Sequence, residues 1–147
     1  LDADGDLLKT GMKASPYMVK PNKQELSALV GKTPGTLQEL VETVRDLMKE
    51  YSIAKTVVSM GGEGALYVTE KETVFAEGLK VPVGSTVGAG DSVVAALAVA
   101  EESGTSLEDT VRLSMAAGAA NVMCSGTQPA EYEVIRELIP KVVFHRL

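Results

Sequence analysis

An α/β fold, with a largely parallel sheet flanked by helices and one β-hairpin, is predicted by three observations. Between Leu37 and Tyr51 the apolar residues Leu37, Leu40, Val41, Val44, Leu47 and Met48 recur at i, i+3, i+4 spacing, the stripe of an amphipathic helix. The run Lys55 to Met60 follows almost at once, too short for a helix and apolar enough for a buried strand. Ala65 to Thr69 and Thr73 to Ala76 then flank Glu70-Lys71-Glu72 and read as an antiparallel hairpin. Strands that alternate with helices belong to the α/β class.

The remaining elements follow in chain order. Leu1 runs into Asp2-Ala3-Asp4-Gly5 like the end of a strand and the loop after it, so the chain is read as a fragment. Asp4-Gly5-Asp6 is taken as loop and Leu7 to Ala14 as a short helix, weakened by Gly11 and stopped at Ser15-Pro16. Tyr17 to Val19 is a brief strand. Asn22 is a good N-cap for a helix carrying Leu26, Leu29 and Val30, and Gly31 ends it. Thr33-Pro34-Gly35-Thr36 is a turn. Leu79 to Val83 reads as a short strand leading into a glycine-rich loop. A helix is expected over Ala89 to Ser103, ended by Gly104, and another from Ser106 to about Met123, with Glu108 and Asp109 at its dipole-favoured start. Its small residues Ala116, Ala117, Gly118, Ala119 and Ala120 permit close approach. A short helix, Glu131 to Leu138, and a strand, Val142 to Phe144, complete the chain.

Composition narrows the function. The 147 residues hold one domain's worth of chain, and 45% hydrophobic content supports a real core. A formal charge of −6 argues against a nucleic-acid surface, which needs a basic face, but leaves a nucleotide ligand open. The single Cys124 excludes an internal disulfide and a cysteine zinc cluster, and the single His145 excludes a histidine-centred triad. No stretch reaches the roughly 18 apolar residues of a membrane span. No signal-peptide pattern is visible, so the expectation is a cytoplasmic protein.

The chemistry concentrates at Ser85-Thr86-Val87-Gly88-Ala89-Gly90-Asp91-Ser92, directly before the apolar run from Val93. A glycine-rich loop opening a helix presents free backbone N–H groups and the positive end of a helix dipole, which together receive anions, phosphate above all. A carboxylate beside a phosphate is repulsive unless it has a task, and the task we read is that of a base in phosphoryl transfer, Asp91. A tight strand-to-helix turn with a helix-start acid would look the same from the loop alone. The loop lacks the Gly-Lys-[Ser/Thr] of a P-loop and the full spacing of a dinucleotide site.

Over its whole length, STVGAGDSVVAALA resembles the second diagnostic motif of the ribokinase-like (PfkB) carbohydrate kinases. The resemblance implies that the backbone of Gly88, Ala89 and Gly90 forms an anion hole for the transferring phosphoryl and that Asp91 takes the proton of the acceptor hydroxyl. Ser85 is similar to the phosphofructokinase and tagatose-6-phosphate kinase branch, where Asn-Ser precedes the loop; Gly84 stands in place of that Asn. Asn22-Lys23-Gln24-Glu25, which taken alone is a plain helix cap, resembles the family's Asn-x-x-Glu motif, and the metal-organising role for Mg²⁺ is thereby carried to Asn22 and Glu25. An outer shell of this kind suits a hard cation that keeps its waters. Lys20 is similar to the lysine of the family's KPN form, which faces phosphate. Ser59-Met60-Gly61-Gly62-Glu63-Gly64, otherwise an ordinary hairpin start, resembles the Ser-x-Gly-x-x-Gly turn along the ATP phosphates and ribose. Asn121 falls where the family's last helices wall the adenine and, in some members, a monovalent cation. Asp2 and Gly5 resemble an Asp-x-x-Gly that follows a central strand.

The resemblance covers the chain but only the C-terminal half of the family. It implies ATP and Mg²⁺ as cofactors and a sugar phosphate as substrate, fructose 1-phosphate first and tagatose 6-phosphate second. No nucleic-acid or membrane partner is expected, and the full-length protein is expected to be a homodimer. Without the sugar-contacting strands and lid of the N-terminal half, the isolated chain is expected to be inactive or very weak, because the acceptor is not held in line. A non-catalytic nucleotide-binding scaffold is the rival class; it would have no need of an acid at position 91.

Overall fold

The computed structural model describes residues 1–147. Helix α1 (Gly5–Met12) begins earlier than its apolar pattern suggests: Asp4 stands at the N-cap in extended backbone, and Gly5 and Asp6 are helical rather than loop. Asp6 thereby places an acid in the first turn, where the helix dipole favours it. After β1 (Met18–Val19), α2 (Lys23–Val30) starts with a full capping box and ends at Gly31 in the left-handed region. Helix α3 (Leu37–Tyr51) has the predicted limits, with the Thr36 hydroxyl accepting the Glu39 N–H at 3.1 Å. Strand β2 (Lys55–Ser59), a 3₁₀ turn at Gly61–Glu63, β3 (Gly64–Thr69) and β4 (Thr73–Glu77) follow. Helices α4 (Ala89–Glu102), α5 (Leu107–Met123) and α6 (Tyr132–Leu138) precede β5 (Phe144–Arg146).

The sheet has the order β1-β2-β3-β4-β5. It is mixed, and the expectation of largely parallel pairing is corrected. Strands β1 and β2 are parallel, and Leu1 joins β1 in the same sense, donating to Met18 O and accepting from Lys20 N. Strands β2 and β3 are antiparallel, because the short link through Gly61–Glu63 leaves no room for a crossover helix. The expected hairpin forms β3 and β4, closed by the Thr69 N–H to Glu72 O bond at 2.8 Å. Strand β5 runs antiparallel to β4 through Glu77 N–H to Val143 O and Leu147 N–H to Thr73 O.

Two further expectations are corrected. Leu79 to Val83 is not a strand: Pro82 has no donor, and the next N–H groups, of Gly84 and Ser85, both go to the Val122 carbonyl, at 2.8 and 3.1 Å. The last strand starts at Phe144 rather than Val142, because Pro140 sets a 3₁₀ turn whose closing bond runs from Val142 N–H to Ile139 O.

The chain divides into two compact units, one of residues 1–61, 65–75 and 145–147, the other of residues 62–64 and 76–144. The first is built on one apolar cluster. Leu8 and Met12 of α1, Leu26 of α2, and Leu40, Val44 and Met48 of α3 pack with Val19, Val58, Leu66 and Val68 of the strands. The second is helical, with α4 and α5 packed through small residues: Ala96, Ala100, Ala116, Ala117 and Ala120 are buried, and Gly118 has no room for a methyl group against Val93. No helix is long and apolar enough to cross a membrane.

Candidate active site

In the first unit the parallel pairing positions four polar residues. The register of β1 on β2 continues past the end of β1, so that Asn22 pairs with Ser59, and the Ser59 N–H donates to Pro21 O at 3.1 Å. Asp2, Lys20 and Asn22 therefore lie just beyond the carboxyl ends of parallel segments, and Ser59 at the end of its own. In open α/β sheets that is the edge where ligands bind. The Lys20 ammonium is buried and stands 3.2 Å from the Asp2 carboxylate, of which about a third is exposed. Asp2 and Lys20 had each been singled out by sequence; their pairing was not, although both follow strand ends and adjacent parallel strands bring such residues together.

Asn22 and Glu25 form the capping box of α2. Asn22 Oδ1 accepts the Glu25 N–H and Glu25 Oε2 accepts the Asn22 N–H, both at 2.8 Å. Each residue thus has one oxygen committed to the helix start. Glu25 keeps Oε1, and Asn22 Oδ1 keeps a lone pair. No group of three or more acidic, histidine or cysteine side chains is gathered to enclose a metal. The donor set fits a hydrated Mg²⁺ held through its waters, with Glu25 supplying the charge, and does not fit a dehydrated cage.

The Ser59–Gly64 turn divides between the units: Ser59, Met60 and Gly61 belong to the first, Gly62, Glu63 and Gly64 to the second. Gly61 and Gly62 are open, with nothing near the place of a side chain. Gly64 is the fixed point. Its φ is +126°, and a Cβ there would stand 1.9 Å from the Ala76 carbonyl oxygen, so the turn lies directly on the neighbouring backbone.

In the second unit Gly88 caps α4 with φ 83°, left-handed and without a side-chain cap. Ser92 N–H bonds Gly88 O at 2.9 Å and Ala89 N–H reaches Thr86 O at 3.4 Å, while the N–H groups of Gly90 and Asp91 find no protein acceptor. The Asp91 side chain lies exposed in that same first turn, with no hydrogen bond or ion pair to the protein. Two donors at the positive end of a fourteen-residue helix, beside an unengaged carboxylate, can receive an anion and accept a proton.

A match to the pfkB family carbohydrate kinase model extends over residues 2–133. The chain belongs to the pfkB family of carbohydrate kinases. Among pfkB relatives, a 1-phosphofructokinase of Haemophilus influenzae is 35% identical over 143 residues, covering 97% of this chain and 45% of its own length. The structure of phosphofructokinase-2 from Escherichia coli, in complex with substrates and products, matches with a TM-score of 0.89 and 30% identity over 95% of this chain and 46% of that one. A ribokinase of Arabidopsis thaliana, complexed with ribose and ATP, matches with a TM-score of 0.75 and 27% identity over 83% of this chain and 40% of its own. The fold is thus ribokinase-like, and the chain spans a little under half the length of these relatives.

Within this pfkB chain, the structure brings Asn22, Glu25 and Ser59 to one sheet edge in the first unit, and Gly88, Ala89, Gly90 and Asp91 to one helix start in the second. Asn121 is buried near the end of α5 and lies beside Gly88. One contributor escaped the sequence reading. Gly84 has been treated only as a departure at the motif's edge, yet a Cβ there would meet the Cys124 carbonyl oxygen at 2.4 Å. The segment before the loop is therefore strapped onto the end of α5, a long-range contact with no local signal.

Proposed function

We propose that this chain supplies the ATP-phosphate and base-bearing portion of a kinase that phosphorylates a sugar phosphate, fructose 1-phosphate in the first instance. The observation that carries the reading is the start of α4: free N–H groups at Gly90 and Asp91, the left-handed Gly88, and the unengaged Asp91 carboxylate in one turn. Phosphoryl transfer asks the protein for positioning and charge stabilisation more than for covalent chemistry. The N–H groups of the Gly88–Asp91 turn take the charge that develops on the transferring group. An Asp91 carboxylate oxygen accepts the proton of the attacking hydroxyl. Asn22 and Glu25 hold the waters of Mg²⁺, which when bound neutralises phosphate charge. The Ser59–Gly64 turn, Met60 and Glu63 included, lies along ATP, and Asn121 contributes to the nucleotide side from α5. The rival reading, a non-catalytic binder, leaves the free acid at position 91 without a purpose.

The names of the relatives favour fructose phosphates, and the choice of acceptor is tested directly. A coupled ADP-release assay of the full-length protein against fructose 1-phosphate, fructose 6-phosphate, tagatose 6-phosphate and ribose should give the largest kcat/KM with fructose 1-phosphate. Preference for tagatose 6-phosphate would move the protein to the neighbouring specificity. ATP turnover with none of the four would remove the sugar-phosphate reading.

A further inference from the structure

Within the second unit, the start of α4 and the end of α5 meet at one point. The nearest side-chain atoms to the place of a Gly88 Cβ are those of Asn121, with Oδ1 at 3.5 Å and Nδ2 at 3.7 Å. Asn121 is only 5% exposed. Its Nδ2 donates to Gln128 O at 3.4 Å, whereas Oδ1 is buried and receives no donor at all. Exchanging the two amide ends would press Oδ1 against the Gln128 carbonyl, acceptor on acceptor, so Gln128 decides the orientation.

A buried acceptor without a donor costs stability, and such groups in a native structure call for a reason. The neighbourhood gives one. The last turn of α5 already braces the approach to the loop: Val122 O takes the N–H groups of Gly84 and Ser85, and the Cys124 carbonyl packs on Gly84. Asn121, one residue before Val122, stands next to Gly88 itself, with no hydrogen bond to it. Its amide oxygen lies close to Gly88 at the start of α4 and carries a partial charge only, so it does not compete there as an ion.

We propose that Asn121 is a positioning residue, a neutral amide that holds the Gly88 turn in place for the incoming phosphate and must stay uncharged because it borders the anion's seat. The proposal rests on the reading of Gly88–Asp91 as a phosphoryl site. It assigns Asn121 to the phosphate end of the nucleotide, through its place beside Gly88, rather than to the base.

The test is the KM for ATP, measured with kcat and Tm on the full-length protein carrying Asn121→Asp or Asn121→Leu. Asp keeps the shape and adds a charge at a few ångströms from the phosphate, so KM for ATP should rise about tenfold or more while kcat at saturating ATP falls far less. Leu removes the amide without a charge and should raise KM about threefold or more. A merely structural asparagine would lower Tm in both variants and leave KM alone. A folded Asn121→Asp protein with KM for ATP within about twofold of the unaltered value overturns the proposal, and Asn121→Leu decides by the same limit if the Asp variant does not fold. Asp91→Asn, assayed beside them, separates the two levels. If it retains turnover, the phosphoryl site itself is wrong; if it is inactive and Asn121→Asp is normal, only the role of Asn121 fails.

Discussion

The proposed function gives Glu25 a second task beside its cap, and a single substitution can separate the two. Its Oε2 closes the capping box of α2 on the Asn22 N–H, and its other oxygen remains for the waters of a metal. Glutamine at this helix position preserves the box and removes the charge. Glu25→Gln should therefore change stability by about 0.5 kcal/mol or less, as for a surface change that spares the cap. The Mg²⁺ concentration for half-maximal turnover should rise severalfold, and a titration superimposable on that of the unaltered protein would take Glu25 out of the metal shell. Asn22→Ala should instead cost about 0.5–2 kcal/mol through the lost cap, read as a shift in the urea midpoint.

At the scale of elements, two glycines of one turn make contrasting predictions. Gly64→Ala forces a methyl group into the Ala76 carbonyl at a φ that L residues avoid, and should destabilise by about 3 kcal/mol or more. Gly62→Ala points into open space and should change stability by about 1 kcal/mol or less. Equal urea midpoints for the two variants would contradict the close packing of the turn on β4. These elements also show what a sequence can disclose. Helix α3 was legible from its apolar stripe, and α2 and α5 because their ends carry local chemistry, Asn22 and Gly31 for the one and Ser106, whose hydroxyl accepts the Asp109 N–H, for the other. The segment Leu79–Val83 was not, because an apolar run becomes a strand only if a neighbour takes its N–H groups, and here the next donors go to Val122 on α5. The sense of the sheet failed for a related reason. Alternation of strands and helices suggested parallel pairing, while the tight links at Gly61–Glu63 and Glu70–Glu72 turned the chain straight back. Asp91 and its loop were visible as a local motif, whereas the placement of Asn121 beside Gly88 is a tertiary fact.

Across the whole molecule, the apolar cluster of the first unit holds in place the sheet edge that carries Asn22 and Ser59. Leu26 lies fully buried on α2, directly after Glu25. Leu26→Ala should cost about 2–5 kcal/mol, the usual range for a buried leucine truncation. The pfkB match spans residues 2–133, and both units contribute to it. The proposed function turns on one carboxylate in the second unit, that of Asp91. The decisive measurement is kcat of Asp91→Asn in the full-length protein with ATP and fructose 1-phosphate, alongside the Kd for ATP. A fall in kcat of about 10²–10⁴, the scale of a general base, with a Kd for ATP nearly unchanged, is the predicted result. Turnover close to that of the unaltered protein would contradict it.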